Sequence, residues 1–322
     1  MKQTVEKEMQ RRSARWACAT LLTLWLFAPL GAAQISAPLS QEARAALDRA
    51  QAAATEALQT YDAYRPDQPL FKEAVRYGRE AAQLAPGNPE PLRLLAEVYS
   101  ATNFYGPAFR NWQAYLDTGG IFTTNMREQA VEAGTQLAYG RYDQGALEEA
   151  LSAYQEVIDL VPEDPEAYVW AGRILLEANR PEQAVPYWQE VTALEPDNAS
   201  AEYFLGLAQE QARYGAEAVT AFREGVRLYE AGERRAASEQ FARATSLNDQ
   251  YPAAWAYLGR TAFETNSYAA AETFYQNASQ LEPNNQTYRY FYEESQRRQE
   301  AGADEEQGAQ SEQPPFREES GN

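Results

Sequence analysis

The chain has 322 residues, enough for two ordinary domains or one extended repeat domain. Its 28 basic and 47 acidic residues leave a formal charge of −19, which argues against a grip on nucleic acid or on anionic lipid. No His and one Cys exclude His-based triads, His metal ligands and Cys-cluster metal sites, and a hydrophobic fraction of 44% is that of a folded chain.

Residues 1–15 carry Lys2, Lys7, Arg11, Arg12 and Arg15, and an uncharged apolar run follows from Trp16 to Leu30. Pro29 breaks it, and Gly31-Ala32-Ala33 supplies small residues for a signal peptidase. This pattern predicts a secretory signal peptide over 1–33, cut after Ala33. An uncleaved anchor is the alternative, but the run falls short of the roughly 20 residues a span needs. Arg11-Arg12 lacks the Phe-Leu of a twin-arginine signal, and Cys18 lacks the small apolar motif of a lipoprotein. Removal of this segment takes away five basic and two acidic residues, leaving 23 and 45, a charge of −22 and no Cys. The expected location is the periplasm or extracellular cell envelope of a bacterium, where such a chain must hold itself by packing alone.

After a short N-terminal helix region at 34–54, the chain repeats itself. Leu194-Glu195-Pro196 recurs as Leu281-Glu282-Pro283, with Leu84-Ala85-Pro86 and Leu160-Val161-Pro162 as variants; Pro162 and Pro196 are 34 residues apart. Ahead of these endings lie Ala150, Tyr154 and Val157, then Ala184, Trp188 and Val191, then Ala237, Phe241 and Ala244, then Ala271, Tyr275 and Ala278. Steps of four and three place each trio on one helical face. Earlier still in each unit come sets such as Tyr168, Ala171, Gly172 and Leu175, or Trp255, Leu258, Gly259 and Ala262. A small residue at the eighth position allows two helices to approach, an aromatic at the twenty-fourth fills the hairpin, and a Pro at the thirty-second ends it.

This 34-residue helix–turn–helix pattern resembles the tetratricopeptide repeat family. The resemblance implies an all-α superhelical array, an α-solenoid, over 55–283. Its best copies are 165–198 and 252–285, with 89–122, 131–164 and 199–232 good, 55–88 degenerate in its first helix, and 218–251 good only in its second half. The eight residues 123–130 are an insertion, expected to lengthen the next helix or to form a loop. Three helices crowd into 199–247, which predicts a break in the superhelix. Residues 284–300 read as a capping helix with Tyr288, Phe291 and Tyr292 over the last repeat. Residues 301–322 are acidic and poor in apolar side chains, the composition of a disordered tail.

The family binds partner peptides or helices in a concave groove made by first helices. Its groove positions transfer here to Arg93, Tyr139, Tyr142, Arg173, Tyr203, Arg260 and Phe263. Aromatic rings and guanidinium groups carry much of the energy of protein interfaces, and the Arg fork suits a partner carboxylate. The competing reading is that each Arg pairs with Glu on its own or an adjacent helix. The family's chaperone-binding carboxylate clamp of Lys and Asn is absent, since Lys72 is the one Lys after residue 33. The expectation is an exported, acidic, non-enzymatic protein-binding scaffold of unknown protein partners, with no cofactor, no metal, no nucleic acid and no membrane insertion after signal cleavage. The alternative is a dedicated subunit of a cell-envelope assembly machine for secretion, pilus or outer-membrane biogenesis. An all-α envelope glycosidase or lytic transglycosylase ranks last, because no stretch outside the repeats is long enough for a catalytic domain.

Overall fold

The computed structural model describes residues 38–311, with side chains through residue 301. The segment read as a signal peptide and residues 312–322 lie outside the described residues. Among the described residues there are fourteen α-helices and no strand. They are α1 (Gln41–Thr60), α2 (Pro69–Leu84), α3 (Glu90–Ala101), α4 (Tyr105–Asp117), α5 (Thr124–Asp143), α6 (Leu147–Leu160), α7 (Pro165–Glu177), α8 (Pro181–Leu194), α9 (Ala199–Tyr214), α10 (Ala216–Glu230), α11 (Arg234–Leu247), α12 (Pro252–Glu264), α13 (Tyr268–Leu281) and α14 (Gln286–Ser311). Two compact units divide the chain, one ending at Ile174 and the other starting at Leu175.

Five turns share one geometry. Asn103, Gly145, Asn179, Gly232 and Asn266 each adopt a positive φ, between 56° and 83°. Each follows a helix, and each donates its N–H to the carbonyl three residues back while the next residue donates to the carbonyl five back. Gly232 donates to Tyr229 at 3.0 Å and Glu233 to Leu228 at 2.9 Å; Asn266 donates to Phe263 at 3.1 Å and Ser267 to Ala262 at 2.9 Å. This is the left-handed stop that satisfies the last carbonyls of a helix, and it favours Gly and Asn because a Cβ there costs energy in most other residues. Counted from units starting at 89, 131, 165, 218 and 252, these residues all hold the fifteenth position.

In the first unit, α1 pairs with α2, α3 with α4 and α5 with α6. The Ser40 side chain caps α1 by accepting from Ala43 N–H at 3.1 Å, and Ala43, Ala46, Ala50, Ala53, Ala54 and Ala57 form its buried face. One continuous helix thus crosses the expected boundary at 54/55, and the first hairpin begins at Gln41. Its partner α2 follows a connection of eight residues, 61–68, instead of a tight turn. The insertion 123–130 lengthens α5, which Thr123 caps by accepting from Met126 N–H at 3.3 Å. Trp112 and Tyr154, both at twenty-fourth positions, are wholly buried.

In the second unit, α9 packs on α8, with the Trp188 and Phe204 rings stacked at 4.8 Å. It touches α10 far less; α10 pairs with α11 and α12 with α13. The hairpin in the irregular region is therefore the 218–251 copy, and the 199–232 copy does not form one. Packing gives the reason. A Cβ at Gly225 would lie 2.5 Å from the Phe241 ring and one at Gly259 would lie 2.7 Å from the Tyr275 ring, the eighth-to-twenty-fourth contact of each hairpin. Gly206, the eighth residue of the 199–232 copy, has nothing within 4 Å of that point, and Arg213 occupies its fifteenth position within α9. At the end of this unit Phe291 stacks on Tyr275 at 5.2 Å, and Tyr288 and Tyr292 pack on the same cluster. Helix α14 runs on to Ser311, so residues 301–311, read as tail, continue the helix. Extending an existing helix through Ala, Glu and Gln needs no new nucleus.

The two glycines separate the pairings. Gly206→Ala should stabilise the protein by about 0.5–1 kcal/mol in urea unfolding, since an exposed helical Gly gains propensity as Ala. Gly225→Ala should destabilise it by about 1–3 kcal/mol, because its Cβ meets the Phe241 ring. The opposite order would restore the 199–232 hairpin.

Candidate partner-binding surface

In the first unit Arg93 lies on α3 between two carboxylates of its own helix. Its NH1 group meets Glu97 Oε1 at 2.8 Å and its NH2 group meets Glu90 Oε2 at 2.8 Å, with the Arg side chain only 16% exposed. Burial pulls its pKa down, but Glu97 and Glu90 more than offset this and hold it above the ordinary value. Its donors are committed to its own helix. Tyr139 and Tyr142 on α5 converge with Trp170 on α7, at ring distances of 5.4 and 5.3 Å, and Tyr154 of α6 stacks flat on Trp170 at 5.9 Å. The Arg173 guanidinium lies 5.2 Å from the Trp170 ring. Tyr154 is wholly buried, its hydroxyl has no hydrogen-bond partner among the described residues, and burial pushes its pKa up. Tyr139, Tyr142 and Arg173 are half-buried, so one side of this aromatic group reaches solvent.

In the second unit the three candidates separate. Tyr203 is 54% exposed on α9, and Arg223 of α10 donates to its hydroxyl at 3.0 Å. The same Arg223 grips Glu210 Oε2 with Nε at 3.0 Å and NH2 at 2.7 Å, while the Tyr251 hydroxyl donates to Glu210 Oε1 at 2.6 Å. Glu210 thereby fastens α9 to the elements that follow it, aided by Tyr214 stacked on Tyr251 at 4.1 Å. Phe263 packs edge-on against Tyr268 at 5.4 Å and Phe291 at 5.6 Å, under the terminal helix. Arg260 is 54% exposed; its Nε meets Glu264 at 3.2 Å and its guanidinium lies 4.9 Å from the Tyr229 ring.

Arg260 belongs to a cluster that sequence reasoning missed. Tyr229 of α10 donates its hydroxyl to Glu264 Oε1. Arg234 of α11 meets Glu264 Oε2 at 3.1 Å and lies 3.8 Å from the Tyr229 ring. Two guanidinium groups thus flank one ring and share one carboxylate. Burial pushes the Glu264 pKa up, but the Tyr229 hydroxyl and the two Arg more than offset it, leaving it below the ordinary value. In the 218–251 unit Tyr229 is the twelfth residue, a groove position; counting from 199 hides it. The fifteenth-position Gly232 was the available signal.

Among the described residues no group of three His, Cys, Asp or Glu is placed to hold a metal ion, and no helix is long and apolar enough to cross a membrane.

A tetratricopeptide repeat model matches residues 141–210 and another matches 222–285. Over these two stretches the chain is a tetratricopeptide repeat protein, built from helix–turn–helix units. The gap between the matches, 211–221, takes in the last turn of α9, Gly215 and the start of α10. Among solved structures, the chain is similar to YrrB, a tetratricopeptide repeat protein with an unusual peptide-binding site (16% identity, 66% of this chain and 96% of that one, TM-score 0.28). It is also similar to a tetratricopeptide repeat protein from Parabacteroides merdae (11%, 80% and 100%, TM-score 0.33) and to MamA (19%, 58% and 98%, TM-score 0.25). At these TM-scores none of the likenesses bears on the groove. No curated protein sequence matches the chain.

The Glu264 cluster sets a pH test. A carboxyl held below its ordinary pKa contributes stability above about pH 4.5 that is lost as pH falls through the lowered value. Glu264→Gln should therefore be less stable than the parent at neutral pH, and the gap in melting temperature should close as pH falls below about 4.5. Parallel melting curves across that range would show that the carboxylate contributes nothing.

Proposed function

We propose that the protein is an exported scaffold that holds a peptide or helix of a protein partner against the first helices of its hairpins. Tetratricopeptide repeats support a protein-interaction scaffold and are typically non-catalytic. The observation that carries the finer reading is the open side of two aromatic–guanidinium groups at first-helix positions. One is Tyr139, Tyr142 and Arg173 with Trp170; the other is Arg260 with Tyr229. In both, a cation rests on a buried ring and stays partly exposed itself, which leaves guanidinium donors accessible to a carboxylate; in the first group the half-buried Tyr139 and Tyr142 add apolar surface. Arg93 and Phe263 serve the fold, the first paired along α3 and the second packed under α14.

The pattern of residues 1–33 supports export to the periplasm or the extracellular envelope. N-terminal sequencing of the native protein should begin at Gln34; a start at Met1 in a membrane fraction would establish an anchor instead.

The groove reading is tested by Arg173→Ala with Arg260→Ala. The double variant should keep its helical circular dichroism and melt within a few degrees of the parent. It should weaken a partner captured from the native host by roughly 2–4 kcal/mol, chiefly through faster dissociation. Unchanged affinity in the folded variant would move the site off these groups.

A further inference from the structure

We infer a second interaction surface, on α2, that takes an acidic peptide segment bearing an aromatic or aliphatic side chain. A cleft of about 640 Å³ opens between α2 and the end of α3, lined by Lys72, Arg76, Arg79, Tyr99 and Phe104, with Glu80 at its side. Three cations against one carboxylate is a local reversal in a chain that carries 47 acidic and 28 basic residues. Little of the reversal is spent on ion pairs, although the Arg76 guanidinium lies over the Tyr77 ring at 4.1 Å. Lys72 and Arg79 have no ion-pair partner among the described residues; Arg79 donates instead to the Tyr99 hydroxyl at 2.7 Å, which leaves its other donors toward the cleft. Arg76 reaches Glu73 only at 3.8 Å, with 65% of its side chain exposed. Exposed Arg44, Arg110 and Arg243 likewise have no ion pair among the described residues, so what marks the site is three cations gathered beside one exposed ring.

Phe104 gives the cleft its apolar end. It follows the left-handed turn at Asn103, and its ring meets Tyr99 at 5.8 Å. A hydrophobic contact at this position is common after such a turn, yet Phe104 keeps 47% of its surface exposed. The four equivalent positions hold Ala146, Arg180, Glu233 and Ser267, none of them a large apolar residue. The volume lies in the range of sites that hold a few side chains, and the lining pairs point charges with one exposed ring. The complementary occupant is a short extended segment with two or more carboxylates beside one ring or aliphatic side chain. The placement also separates this surface from the groove: its cations stand on the second helix of the first hairpin, and none of the groove candidates lines it.

The test is fluorescence anisotropy with the full-length protein and labelled peptides. The probe is Glu-Glu-Phe-Glu-Glu; its controls are Gln-Gln-Phe-Gln-Gln and Glu-Glu-Ala-Glu-Glu. The acidic aromatic peptide should bind, and both controls should bind at least ~10-fold more weakly. Lys72→Glu with Arg76→Glu should weaken the probe by at least ~10-fold, and Phe104→Ala by about 3-fold or more, with unchanged helical content because all three side chains are exposed. Arg235→Glu, a reversal of an exposed cation on α11, should leave probe binding unchanged, and the groove is read separately with Arg173→Ala and Arg260→Ala against the native partner, so the two failures are distinguishable. Absence of binding at millimolar probe, equal binding of the Gln peptide, or full binding by the double charge reversal would each overturn the proposal. So would transfer of the effect to anionic lipid vesicles without peptide binding, which would make the cleft a headgroup site.

Discussion

A ring from the second helix of a hairpin rests against a small residue on the first, and the rest of the molecule is arranged around that contact. At Gly225 and Gly259 there is no room for even a methyl group beneath Phe241 and Tyr275, and in other hairpins Ala96 and Ala138 sit wholly buried at the same position. This approach sets the spacing of two helices, and the left-handed turn seven residues later reverses the chain in register with it. Both halves must agree, because a turn out of step would bring a bulky residue beneath the ring. Close packing then fixes which side chains stand on the outer stripe of each first helix. The candidate surface follows from that stripe.

The helices and their approximate limits were readable from the 34-residue recurrence, since Pro at helix starts and after helix ends and the buried trios punctuate it strongly. Tyr154, Trp188, Phe241 and Tyr275 are all in the core, as their spacing requires. The pairing in 199–251 was not readable from apolar spacing alone. Ala218, Phe222 and Gly225 lie on one face whether α10 is a first or a second helix, and helical periodicity cannot tell the two apart. Turn chemistry can: Gly232 at the fifteenth position marks a hairpin, and Arg213 at the corresponding place does not. The first hairpin escaped for a related reason. Its α1 buries alanines and lacks the large apolar marks that announce the other copies.

The candidate site was partly visible for the same reason. Residue type picked out Arg and aromatic side chains, but only three-dimensional neighbours show which are committed. Arg93 is held by Glu90 and Glu97, and Phe263 is packed under α14, whereas Arg173 and Arg260 rest on the buried rings of Trp170 and Tyr229 and stay partly exposed themselves. The strongly acidic composition supplies many Arg with a carboxylate nearby, and pairs at the surface add little stability each. What distinguishes a site in such a chain is one or more partly exposed guanidinium or ammonium groups beside a ring, at Tyr229, at Trp170 or along α2. Glu210 does the opposite work. By joining Arg223 and Tyr251 it ties the unpaired helix α9 to the hairpins after it.

The assignment of α10 and α11 as one hairpin, with α9 outside it, is the claim on which the groove positions in the second unit rest. Native-state hydrogen exchange resolved by peptide measures it directly. Backbone amides of 216–247 should open together as one protected block, and those of 199–214 should exchange with a separate, lower protection. A common opening of 199–230, with 234–247 exchanging on its own, would contradict the account.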